Sequence, residues 1–278
     1  MNTGGRGTWF VALMCVIGCS VAGAGELNLW VSYYYAGAAN RAMGEYADAD
    51  VLLTAARREH RRRPEEAHRL VSTLNAQGMA RMALEDYPSA KKYLDCARQT
   101  AERDLGRKSR WLPQTLNNLA DLYYLAGASD KAERHYRRAL ALNERDQTNI
   151  EVCRSLNGLA LLENDSGHTV EAEELLKRAV AVHDRHMRRA HPYCATSCTN
   201  LGILYTRLGR YDEAEAALTR AEFIHNVSLG ANHPDVAVRL SAQAALFAKT
   251  GRAEEAGELE ARADSIRAHF AELNRSAE

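Results

Sequence analysis

The sequence predicts an all-α solenoid of about six stacked helical hairpins, and three observations carry that expectation. A small residue recurs at Gly37, Gly78, Ala120, Ala160, Gly202 and Ala244, with separations of 41, 42, 40, 42 and 42. Within each period apolar residues fall at helical spacing, stop at a break and resume at helical spacing. Prolines number only 5 and aromatics make up 7%, against 26% charged residues, a balance that suits amphipathic helices. A fixed period of this length marks units that touch only their neighbours, not a globule around one centre. The functional question therefore shifts from catalysis toward binding.

The first unit, Trp30 to Ala56, keeps Tyr33, Gly37, Gly44, Tyr46, Ala49, Leu53 and Ala56 in the repeating slots. Unit two departs, with Gln77 and Arg81 where an apolar pair is expected. Unit three is the clearest: Leu116, Leu119, Leu122 and Tyr123 form one apolar stripe, Gly127 breaks it, and Ala132, Tyr136, Ala139 and Leu140 resume it. Unit four repeats this with Leu156, Leu159, Ala160, Gly167, Ala172, Leu176 and Ala179, but has Glu163 in place of tyrosine. Unit five uses Cys198, Leu201, Gly202, Tyr205, Gly209, Ala214, Leu218 and Ala221, and unit six carries Glu260 with Leu259 beside it. Small residues are needed where paired helices cross, because a longer side chain would push their axes beyond the ~8–10 Å at which ridges fit grooves. Glycine at the break permits a positive φ. Pro64, Pro113, Pro192 and Pro234 sit at joins between units and Pro88 opens a second helix, places where a missing N–H does no harm.

The succession Leu, Leu, small, Tyr, Gly, Tyr, Ala, Leu, Ala resembles the tetratricopeptide repeat. With His191-Pro192 and His233-Pro234-Asp235 opening two units, the longer period is similar to the 42-residue form found in kinesin light chains and many bacterial proteins. The resemblance covers roughly residues 29 to 270. It implies a right-handed superhelical solenoid of about six tetratricopeptide-like helix-turn-helix repeats over 29–278, with units near 29–63, 65–110, 113–148, 152–190, 193–232 and 235–275. In such a superhelix the first helix of every unit lines a concave surface. The positions that packing leaves over are Asn75, Gln114, Asn117, Asn118, Asp121, Tyr124, Arg154, Asn157, Asn164, Thr199, Asn200 and Arg207. Asparagine dominates, and an amide both donates and accepts, so a row of amides suits the main chain of an extended peptide. Similar families use equivalent asparagines in that way, while repeat habit alone would also place asparagine there. Arg154 and Arg207 add positive charge that would suit an acidic side chain or a C-terminal carboxylate. The expected partner is thus a protein or extended peptide, held by a scaffold without enzymatic activity. The alternative is a scaffold that assembles through its convex surface or by self-association.

Charge does not point to nucleic acid or an anionic membrane, since 36 basic residues balance 36 acidic ones. A local run, Arg57, Arg58, Arg61, Arg62 and Arg63, ends a helix, where cations complement the negative end of the dipole. No nucleophile elbow, phosphate-cradling glycine loop or His-Glu-x-x-His is present, and no cofactor or small-molecule substrate is expected.

The N-terminus differs in kind. A polar head with Arg6, an apolar run from Trp9 to Gly18 and small residues after it read as an export signal. Cutting after Ala24 would make 1–24 the signal and give a free protein in the periplasm or outside the cell. Alternatively, Val16-Ile17-Gly18-Cys19 resembles the bacterial lipobox, making 1–18 the signal and Cys19 the lipid-bearing residue of an anchored protein.

His183, His186, His191, Cys194 and Cys198 cluster in sequence and carry the ligand types of zinc. Their spacing matches no familiar zinc motif, and His191 recurs as His233, so the reading is that no metal is bound. Cys198 fills a slot held elsewhere by leucine and reads as a small core hydrophobe. An exported protein could pair Cys96, Cys153, Cys194 and Cys198 in disulfides, a choice that the sequence leaves open.

Overall fold

The computed structural model describes residues 29–60, 66–143, 150–186, 191–229 and 231–275. The signal at 1–24 or 1–18, Cys19, and Arg61 to Arg63 lie outside them. Among the described residues there are twelve α-helices and no strand. They pair as six hairpins: α1 (Leu29–Ala42) with α2 (Tyr46–His60), α3 (Ala67–Ala83) with α4 (Tyr87–Thr100), α5 (Leu112–Leu125) with α6 (Ser129–Leu142), α7 (Ile150–Asp165) with α8 (Thr169–His186), α9 (Pro192–Arg207) with α10 (Tyr211–Ser228), and α11 (Pro234–Lys249) with α12 (Ala253–Arg275). A π-helical turn, Ala101–Leu105, extends α4 and stops at Gly106, whose φ of 89° favours glycine. None of the described helices is long and apolar enough to cross a membrane.

All six hairpins close in the same way. The N–H three residues past each first helix reaches back to a carbonyl five positions earlier: Glu45 to Asn40, Asp86 to Arg81, Ala128 to Tyr123, His168 to Glu163, Arg210 to Tyr205 and Arg252 to Phe247, all at 2.8–2.9 Å. This six-to-one closure satisfies a carbonyl that the helix end leaves open, and it needs a left-handed residue just before it. Gly127 at φ 70° and Gly209 at φ 73° supply it, whereas the second hairpin uses Glu85 at φ 60°.

The chain forms two compact bodies, one running to Asn118 and the other spanning Leu119–Glu272. In the first, Gly78 lets α3 approach α4 so closely that a Cβ there would stand 2.6 Å from Leu94 Cγ. The polar pair that the sequence placed in an apolar slot finds partners in its own body, although Gln77 Oε1 and Arg81 Nε remain without one. Gln77 Nε2 donates to Thr54 Oγ1 at 3.0 Å, and Arg81 pairs with Asp50 at 2.6 Å and Asp86 at 3.3 Å.

In the second body the core is a series of small clusters at successive helix crossings. Ala120, Ala132, Tyr136, Leu159 and Leu162 form one. Cys194, Ala195, Cys198, Ala221 and Ile224 form another, which places Cys198 in the core. The tyrosine slot of unit four is filled by Glu163, which accepts from the turn residue His168 at 2.8 Å when that ring carries the proton. The recurring histidines open helices: His191 Nδ1 accepts from Tyr193 N at 3.2 Å and His233 Nδ1 from Asp235 N at 3.1 Å, each just before a proline that requires no such bond. Cys96, Cys153, Cys194 and Cys198 are free thiols.

Candidate functional site

Eleven of the twelve positions expected to face a trough separate into two groups, and Gln114 belongs to neither. Seven are buried or half-buried in their own body, most of them in polar networks. In the first body Asn75 is buried, donating from Nδ2 to Thr115 Oγ1 at 2.9 Å and accepting at Oδ1 from Asn118 Nδ2 at 3.3 Å. Asn117 and Asn118 are fully buried. In the second body Asp121 accepts from Tyr136 Oη at 2.5 Å and from Arg154 at 2.6 Å. Arg154 is buried, pairs also with Glu151 at 3.2 Å, and lies 5.2 Å from the centre of the Tyr193 ring. Asn157 is buried and donates to Tyr193 O at 3.4 Å; Thr199 is buried as well. Two expectations need correction here. Arg154 is not a spare cation, because two carboxylates neutralise it, and the amides of Asn75 and Asn118 are spent on each other instead of on a visiting chain. Buried polar groups are costly unless paired, and in both bodies the nearest partner is the adjacent first helix.

The second group converges. Tyr124 from α5, Asn164 from α7, and Asn200 and Arg207 from α9 line a cavity of about 170 Å³ within the second body. Its apolar surfaces are Ala160 and Leu161 of α7, Ala172 and Leu176 of α8, and Ile203 and Leu204 of α9. Three successive first helices meet there near their C-terminal ends. The sequence missed Asp165, which joins the rim and accepts from Tyr124 Oη at 2.8 Å. Burial first, and then the bond to Asp165, push the Tyr124 phenol up to about 12, so it remains a donor at any physiological pH. Asn200 Nδ2 is buried and has no hydrogen-bond partner. Arg207 is exposed at the mouth, and Gln114 is half-buried in the first body.

The cavity is smaller than the about 300–1,000 Å³ typical of small-molecule sites. It fits one side chain of a larger ligand, with an apolar floor, a bare amide donor in the wall and a cation at the mouth. Of the histidines and cysteines weighed as metal ligands, the fold brings His183 and Cys194 together, along with Asp184, which the sequence reading did not include. Asp184 was legible only through the helix period, as the neighbour of His183 at the end of α8.

The tetratricopeptide repeat model matches residues 69–145, 151–222 and 193–266. No curated protein matches the chain by sequence. Among solved structures, the chain is similar to BtubC (BKLC) from P. vanneervenii, at 24% identity and a TM-score of 0.59 over 83% of this chain and 92% of that one. It is also similar to the kinesin light chain repeats of Podosopora anserina, at 22% identity and a TM-score of 0.52 over 73% and 97%. A third likeness is to the Rap conjugation gene regulator of the plasmid pLS20, solved in complex with the Phr* peptide, at 17% identity and a TM-score of 0.73 over 96% and 70%. At these identities the likenesses concern the fold, and the family match covers well over half of the sequence. This chain belongs to the tetratricopeptide repeat family.

Proposed function

We propose that the protein is a non-enzymatic interaction scaffold that holds an extended peptide or partner segment, using the Tyr124, Asn164, Asn200, Arg207 cavity as its anchoring point. The observation that carries this reading is the unpaired Asn200 Nδ2, on a residue lining a cavity whose other polar walls are also side chains from first helices. A peptide carbonyl would satisfy that donor, one aliphatic side chain would fill the floor, and a carboxylate would meet Arg207. The Rap protein solved with a peptide supports the reading by fold analogy alone. The proposed address is the cell envelope, on the strength of the sequence pattern over residues 1–24; mass spectrometry of the mature N-terminus distinguishes a start at Gly25 from a lipidated Cys19.

The test is a display selection of random peptides on the purified protein, followed by affinity measurement of the enriched peptides. Enrichment of an aliphatic residue beside a carboxylate supports the proposal, provided that Arg207→Glu and Asn200→Ala each weaken binding at least about tenfold, the size of one charge-assisted hydrogen bond. Enriched peptides that bind both variants as well as the parent overturn it.

A further inference from the structure

The joint between the fourth and fifth hairpins holds a cluster of donors that the cavity does not use. His183 and Asp184 lie near the end of α8, and Cys194 and Cys198 sit one turn apart on α9. One ligating atom from each of His183, Asp184 and Cys194 lies within 4.8 Å of the other two. His183 is only 7% exposed, yet neither ring nitrogen has a hydrogen-bond partner. Both cysteines are buried, whereas Asp184 is exposed and forms the mouth of the cluster. Arg220 reaches across from α10 to pair with Asp184, so a cation already stands where the carboxylate opens to solvent.

The repeat supplies an internal comparison. Forty-two residues further on, the equivalent slots hold His225, Asn226, Val236 and Leu240. His225 is buried with both ring nitrogens bare, as His183 is. An unpartnered imidazole is therefore a habit of this repeat, but the groups around it are not. Only the earlier joint replaces the amide with a carboxylate and two aliphatic side chains with thiols. These three changes convert an inert surround into imidazole nitrogen, carboxylate oxygen and sulfur, the donor set that zinc accepts. The thiolate and imidazole donors select against calcium and magnesium.

We propose that His183, Asp184 and Cys194 are the three protein ligands of a site for a divalent cation of the zinc class, with the fourth position left to solvent. Binding replaces the Cys194 thiol proton, which passes to solvent, and displaces Arg220 from Asp184. His191 takes no part, since its Nδ1 caps α9.

The test is titration of the reduced, metal-free, full-length protein with Co²⁺, followed by Zn²⁺. The expected result is saturation near one equivalent, with tetrahedral ligand-field bands and a thiolate-to-cobalt charge-transfer band that Zn²⁺ removes. Cys194→Val and Asp184→Asn install residues that the next joint already tolerates, so both variants should keep their helicity. Cys194→Val should lose the charge-transfer band and Asp184→Asn should bind at least about tenfold more weakly. His225→Phe should change nothing. A parent protein without the charge-transfer band, or a Cys194→Val variant that keeps it, overturns the site.

Discussion

Gly158 on α7 packs against the ring of Tyr136 on α6 so closely that a Cβ on the glycine would fall inside the ring's van der Waals envelope, with Tyr136 Cζ nearest. That contact holds the Tyr136 hydroxyl on Asp121, whose other oxygen takes Arg154. Gly158→Ala should therefore overpack the crossing and cost about 1–3 kcal/mol. Chemical denaturation would show it as a lower midpoint at unchanged slope. A stability equal to that of the parent would mean that the two helices part without cost.

Glu85 occupies the left-handed position that glycine takes at the other closures, at φ 60°. A non-glycine residue there carries about 1–2 kcal/mol of steric strain, offset in part by the extra entropy that glycine loses on folding. Glu85→Gly is expected to stabilise the protein by about 0.5–1 kcal/mol, and Gly127→Ala to destabilise it by more. Thermal melts of the two variants should move in opposite directions.

Acid should unfold the protein in two separable steps. Burial pushes the His225 imidazole down to about 4 from an ordinary 6.5, so the folded state refuses a proton that the unfolded chain accepts. Stability is undiminished above 6.5 and declines as pH falls toward 4. The Arg210 hydrogen bond above all, then those of Lys177 and Tyr205, hold the Glu173 carboxyl at about 2 against an ordinary 4.5, with burial opposing. Its contribution is complete above 4.5 and is lost as pH falls toward 2. Denaturation midpoints measured across this range should lose the upper slope in His225→Leu and the lower one in Glu173→Gln.

The buried amide pair makes a further prediction. Removing Asn75 takes away a buried bond from Asn118 Nδ2 and another from the Thr115 hydroxyl, so Asn75→Ala should cost about 1–3 kcal/mol and leave the affinity for peptides selected on the second body unaltered. A variant that binds less well without losing stability would return Asn75 to the list of contact residues.

The fold was legible because its determinants are local. Gly37, Gly78 and Gly202 mark close crossings, Gly127, Gly167 and Gly209 mark reversals, and both recur at a countable interval. The site was legible only in part, since the same period says which face a residue occupies but not which neighbour claims it. Arg154 near the start of one first helix and Arg207 at the end of the next both read as groove cations, yet Asp121 and Glu151 pair with Arg154. Asn200 and Asn75 are the same residue type at similar slots, and only Asn75 meets a threonine and a second amide across the helix pair. Those distinctions depend on contacts roughly 30 to 43 residues apart in the chain, which a pattern of offsets does not encode.

The shared six-to-one closure has a genetic implication. Because every reversal is made by the same backbone bond and only one residue in it needs special torsion angles, a duplicated or excised segment of one period rejoins the chain with a turn already competent to fold. The array can lengthen or shorten by recombination within the gene without inventing a new connection, and single joints such as the one at His183 are then free to diverge while their copies hold the architecture.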